Sequence, residues 1–196
     1  GGEKNMKKLW EEFQYFFQQK IYVIILCLTA ICGYGFEMTH PSIGIDDTAV
    51  SLYLEDGLEV VMGRWFIYLI NKIFHLSDFS PFMMELIGVI LLCISATLFC
   101  VLFRRIFGRK VGLTGYIIFS CIFISNPIIS EVYVYYYHDG VDIGYVFSAL
   151  ALICFWSGMD KWSGTRKSAI KYYLGSLICI TVAIGCYESM LLLFII

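Results

Sequence analysis

Five apolar runs, each near the length of a bilayer crossing, constrain this chain more than any other feature. They are Ile21–Phe36, Phe82–Phe103, Val111–Ile129, Val141–Gly158 and Tyr172–Ile196. A helix needs about 20 mostly apolar residues to cross the hydrocarbon core. Within that core every backbone N–H and C=O must be satisfied internally, which leaves helices or closed barrels. Runs this long and continuous select helices. The first is somewhat short, and Lys20 extends it if its ammonium reaches back to the interface. Only 15% of residues are charged and 59% are hydrophobic, whereas soluble domains carry about 25% charged residues. The expected fold is an all-α, polytopic transmembrane bundle of about five spans.

The basic residues set the orientation. Lys4, Lys7, Lys8 and Lys20 precede the first run; Arg104, Arg105, Arg109 and Lys110 lie between the second and third; Lys161, Arg166, Lys167 and Lys171 lie between the fourth and fifth. That is twelve of the fourteen Lys and Arg on one side. By the positive-inside rule this side, with the N-terminus, is cytoplasmic. The chain is then expected to be a multi-pass protein of the cytoplasmic (inner) membrane. The opposite side carries only Arg64 and Lys72, with most of the acids. A net charge of −2 gives no reason to expect nucleic acid as a partner.

Val60–Leu76 is apolar enough to suggest a further span. It contains Arg64, Asn71, Lys72 and His75, and a charge at mid-bilayer costs about 2.5–3.5 kcal/mol. As a span it would also turn the two later basic loops outward. It therefore reads as an amphipathic helix in the outer interface. Leu9–Gln19, with Leu9, Trp10, Phe13, Phe16 and Phe17 at helical spacing, reads the same way on the inner side. Residues 37–81 then form one long outer loop, and Ser130–Gly140 a short aromatic one.

Met6-Lys7-Lys8-Leu9 resembles a natural start, so Gly1 to Asn5 read as residues added in cloning. The sequence stops inside the apolar run Leu191–Ile196, which suggests the N-terminal part of a longer protein. Residues 6–196 read as a single membrane domain. The eight cysteines all lie in apolar segments, with no Cys-x-x-Cys pair. They read as small packing residues, neither a disulfide framework nor a zinc site.

The chemistry-bearing residues gather on the outer side. Asp46 and Asp47 are adjacent in Gly44-Ile45-Asp46-Asp47-Thr48. Repulsion between neighbouring carboxylates and partial desolvation favour one of them as a general base. The plainer reading is a helix N-cap, and the two are compatible for different members of the pair. Arg64, within Gly63-Arg64-Trp65, is the lone outer arginine, and a guanidinium binds phosphate oxygens in a planar fork. Glu55, Asp56 and Glu59 read first as a solvated helix face. They also offer oxygen ligands suited to magnesium or manganese, so a divalent cation shared with Asp46 or Asp47 stays open. No other cofactor is called for. His138 and Asp139 lie at the same membrane level and are candidates for binding acceptor or phosphate, beside tyrosines that an interfacial belt explains. Glu188 is the acid within the last run. It lies about 24 Å along a helix from Tyr172, near the outer interface. An ionisable residue in a span is a functional candidate, and an interhelical hydrogen bond is its plainer role.

Asp46-Asp47, a helical stretch, then Gly63-Arg64-Trp65 leading into an amphipathic helix resembles the start of the bacterial glucosyltransferase family typified by the phage-encoded enzymes that change O-antigen serotype. The resemblance extends over roughly residues 20 to 190, with its specific motifs within 44 to 66. It implies a GT-C-like membrane glycosyltransferase. The implied donor is a polyprenyl-phosphate sugar, undecaprenyl-phosphate glucose by this resemblance, and the implied acceptor a lipid-linked or surface polysaccharide on the outer face. By this resemblance Asp46 or Asp47 is the base, and Arg64 contacts phosphate or orders the loop. Two other classes stay open. A transporter or lipid-sugar flippase predicts acids or broken helices at mid-membrane. A non-catalytic membrane subunit predicts that Asp46, Asp47 and Arg64 are all replaceable.

Overall fold

Helices account for the chain's regular structure, as the apolar runs require. The computed structural model describes residues 2–40, 58–75, 80–132, 140–162 and 166–195. Among them there is no strand. The helices are α1 (Gly2–Gln18), α2 (Lys20–Thr39), α3 (Leu58–Val61), α4 (Trp65–Phe74), α5 (Pro81–Phe107), α6 (Leu113–Ile124), α7 (Pro127–Val132), α8 (Val141–Trp162), α9 (Arg166–Cys186) and α10 (Met190–Ile195). Four are long and apolar enough to cross a membrane: α2, α5, α8 and α9.

Helix α2 shows how the bundle is patterned. Tyr22, Leu26, Ala30 and Tyr34 recur every fourth residue and are buried, while Ile21, Ile24, Leu28 and Ile31 on the other face are exposed. In water that outer face would be a liability; against lipid tails it is solvated. The inward face carries hydroxyls, because lipid gives helices no apolar drive to associate and packing with interhelical hydrogen bonds takes over. The Tyr22 hydroxyl lies 3.1 Å from Thr97 Oγ1 on α5 and 3.0 Å from Ser120 Oγ on α6. Thr97 gives its proton to the Cys93 carbonyl (2.8 Å). Tyr22 is therefore the donor to Thr97, and Ser120 is free to donate to Tyr22. Near the other end of α2, Tyr34 donates to the carbonyl of Ile124, the last residue of α6.

Helix α5 is the central element, 27 residues long and so about 40 Å. Leu92, Ser95, Ala96, Thr97, Cys100 and Val101 along it are all buried. Helices α8 and α9 form a close antiparallel hairpin. Ser176 Oγ donates to the Ala151 carbonyl at 2.8 Å, and the Tyr173 ring rests against Gly158.

Two expected spans are interrupted. The run 111–129 is a helix only over Leu113–Ile124, 12 residues. That is about 18 Å, against a hydrocarbon core of about 30 Å. It stops at Ser125, and α7 restarts with Asn126 Oδ1 accepting from the Ile128 N–H (3.1 Å) and Pro127 at the first helical position. The last run leaves the helix after Cys186 and resumes at Met190. By contrast, Val60–Leu76 contains the short helix α4, 10 residues, well below the length of a span.

The two ends of the bundle differ in charge. One end holds Glu37, Glu85, Asp142 and Glu188, near the ends of α2, α5, α8 and α9; the other holds Arg104, Arg105, Lys161 and Arg166. We refer to them as the acidic and basic ends.

Candidate active site at the acidic end

The Gly63-Arg64-Trp65 motif explains itself residue by residue. Gly63 follows α3 with φ +83, a left-handed conformation that side chains resist. This reverses the chain and starts α4 at Trp65. The Trp65 indole then lies on α9 at Gly185, where an added Cβ would stand 2.5 Å from its Cε2 and Nε1. Further along α4, the buried Ile67 rests on Gly140, and Phe66 meets Phe147 of α8 edge-on at 5.7 Å. Helix α4 is thereby fixed across the acidic ends of α8 and α9, with Leu69, Ile73 and Phe74 left exposed.

This docking carries Arg64 to the break between α9 and α10. Its Nε lies 4.0 Å from Glu188 Oε2, and its Cζ is 4.8 Å from the centre of the Tyr187 ring. The Arg64 side chain is 17% exposed and that of Glu188 63%. A guanidinium held under an aromatic face and turned toward a carboxylate is shielded from water, where its field is screened less. The break gives Glu188 its position. Tyr187 N–H still bonds the Ala183 carbonyl, and Met190 N–H bonds the Tyr187 carbonyl at 3.0 Å, forming a tight turn instead of a continued helix.

Of the residues singled out from the sequence, Arg64 and Glu188 thus come together across 124 positions of chain. Asp46, Asp47, His138 and Asp139 lie outside the described residues, as do Glu55 and Asp56, and the side chain of Glu59. Among the described residues no group of three or more His, Cys, Asp or Glu is arranged to hold a metal ion.

Sequence reasoning missed two acids. Glu85 is 4% exposed and Asp142 3% exposed. Glu85 lies within electrostatic range of both Glu37 and Asp142, and among the described residues its Oε2 has no hydrogen-bond partner. Tyr145 lies within range of Asp142 on one side and Tyr187 on the other. A polar layer therefore runs through the acidic end from Glu37 by Glu85, Asp142 and Tyr145 to Tyr187 and Arg64. The signal was readable, since both acids fall inside the apolar runs drawn from the sequence. They were counted only among the acids of the outer side and not singled out.

The layer offers carboxylates, tyrosine hydroxyls and one shielded cation beside an apolar, lipid-facing surface. Such a set suits a ligand with hydroxyls, an anionic group and a hydrocarbon tail. No curated protein and no solved structure matches the chain. The model of a protein family described as Glucosyl transferase GtrII matches residues 35–196, which include α4, the polar layer and the α9–α10 break. With the greater part of its length matched, the chain belongs to the GtrII family of glucosyl transferases and is a membrane glucosyltransferase.

Proposed function

We propose that this protein moves glucose from a polyprenyl-phosphate donor to a lipid-linked or surface polysaccharide, with the acidic end facing outward from the cytoplasmic membrane. The observation that carries the reading is the placement of Arg64. The arginine of the Gly-Arg-Trp motif sits shielded at the acidic end of the bundle, in a chain of the glucosyl transferase family. A polyprenyl tail would lie along exposed apolar faces such as that of α4, which brings its phosphate to this level. The concentration of Lys and Arg at the basic end supports the orientation.

In the transfer, an acceptor hydroxyl attacks the anomeric carbon of the glucosyl group. The new C–O bond forms as the bond to the phosphate oxygen breaks. The electron pair leaves with polyprenyl phosphate, and the acceptor proton passes to Asp46 or Asp47. Arg64 stabilises the charge gathering on the departing phosphate. Arginine suits this because its fork meets two phosphate oxygens at once. In this GT-C-type reading His138, Asp139 and Glu188 contribute to substrate binding. A magnesium or manganese ion, if used, draws on Asp46 or Asp47 with the acids at 55, 56 and 59.

The buried acids Glu85 and Asp142 do not favour a transporter. Glu85 is one turn from the start of α5 and Asp142 is in the first turn of α8, so neither is at mid-membrane.

The test is the sugar composition of surface polysaccharide from cells carrying the full-length gene, compared with Asp46→Asn, Asp47→Asn and Arg64→Ala at equal expression. Loss of a side-branch glucose with Arg64→Ala and one Asn variant supports the reading. Unchanged composition in all three rejects the mechanism and moves a non-catalytic role ahead.

A further inference from the structure

The basic end carries a second site that the transferase reading does not use. Helix α1 lies against the end of α5 and is pinned there. Arg105 Nε donates to Glu12 Oε2 at 2.6 Å, and Arg105 Nη1 to Ser157 Oγ at 2.9 Å. Beside this pin is an open cleft of about 290 Å³ lined by Lys8, Glu11, Glu12, Tyr15 and Arg104.

Arg104 is held differently from its neighbour. Its guanidinium stacks on the Tyr15 ring, with Cζ 3.6 Å from the ring centre. Its Nη1 is shielded from water and, among the described residues, donates to no acceptor. A shielded N–H without an acceptor is costly to leave unmade, and an acceptor entering the cleft is reached by a small turn of the fork. The charge balance says which acceptor fits. Arg105 already neutralises Glu12, which leaves Arg104 and Lys8 facing Glu11, one positive charge in excess. Depth says where that acceptor comes from. The cleft lies at the basic end of α5, a helix that ends on exposed Phe107, and beside α1, which carries exposed Trp10 and Phe17. Aromatic residues of this kind mark the headgroup layer, where lipid phosphates are the abundant anions.

We propose that this cleft binds the phosphodiester of one anionic glycerophospholipid, with Arg104 and Lys8 on the phosphate and Tyr15 holding the guanidinium in place. A bound lipid then bridges α1 and α5 beside the Arg105–Glu12 pair and completes the seating of the amphipathic helix.

The proposal is tested on the purified, delipidated full chain by native mass spectrometry and thermal melting, titrated with phosphatidylglycerol, phosphatidylcholine or inorganic phosphate. The expected result is one tightly held phosphatidylglycerol per chain and at least tenfold weaker retention of phosphatidylcholine. Inorganic phosphate should not displace the lipid. Retention should fall at least tenfold in Arg104→Gln, and several-fold in Lys8→Gln, whose exposed side chain leaves folding intact. Equal retention by wild type and Lys8→Gln, equal binding of the two lipids, or displacement by inorganic phosphate would each overturn it, the last by showing a site for free anions.

Discussion

Trp65 covers Gly185 so closely that the smallest side chain there would press on the indole at 2.5 Å. The contact joins the motif that carries Arg64 to α9, the helix that leads into the break carrying Glu188. Gly185→Ala should therefore displace α4 and move Arg64 off the Tyr187 ring. Glucosyl transfer in proteoliposomes should drop tenfold or more, since misplacement by about 1 Å has effects of that order, while circular dichroism shows unchanged helix content. Pairing it with Trp65→Phe, a smaller ring, should restore part of the rate.

Charge alone does not describe Arg64. Arg64→Lys keeps the cation and loses the planar fork, so it should retain only a small fraction of wild-type turnover, with Arg64→Ala lower still. Glu188 is largely exposed and 4.0 Å away, and exposed ion pairs contribute little to stability. Glu188→Gln should leave the melting temperature nearly unchanged. Steady-state kinetics with a polyprenyl-phosphate glucose donor would check the first, and thermal melting the second.

The hydroxyl of Tyr22 ties three helices through Thr97 and Ser120. Interhelical hydrogen bonds in membranes average about 0.6 kcal/mol and reach about 1.7. Tyr22→Phe should destabilise the bundle by about 1 kcal/mol, read by unfolding in mixed micelles, with little change in turnover.

Glu85 has a buried carboxylate near two other acids and, among the described residues, one oxygen without a partner. Removing a charge from such surroundings relieves desolvation and like-charge repulsion. Glu85→Gln should raise the melting temperature by a few degrees. A fall in the melting temperature would mean that the charge is stabilised by groups outside the polar layer.

The pin between α1 and α5 should govern how firmly the amphipathic helix is seated. Breaking one side of a shielded ion pair leaves the other charge uncompensated. Glu12→Gln should expose α1 and speed tryptic cleavage at Lys7 and Lys8, both exposed, by several-fold relative to wild type.

Much of this was legible in the order of residues, for physical reasons that also mark where legibility ended. Apolar length and the positions of Lys and Arg specify a helical membrane protein. Arg64 inside an apolar stretch argued against a span at residues 60–76, and the described part of that stretch holds α4, 10 residues long. Arg64 and Glu188 could each be named, but their meeting depends on Trp65 finding Gly185, a contact that no local pattern encodes. The breaks were lost to averaging. Asn126-Pro127 is a readable cap and helix start, yet the surrounding hydropathy is high enough to draw one run through it. Glu85 and Asp142 were passed over among the acids of the outer side, because their burial depends on neighbouring helices that no local pattern encodes.

Helix α6 has one more consequence. At 12 residues it is little more than half as long as the hydrocarbon is thick, and it packs beside the 27-residue α5. A bilayer meeting a short wall on one flank and a long one on the other cannot keep a uniform depth. It must pinch toward α6, or the protein must lean so that α5 slants through it, at a cost of fractions of a kcal/mol per ångström of mismatch. Bilayer depth or protein tilt must absorb the difference in length between these neighbouring helices.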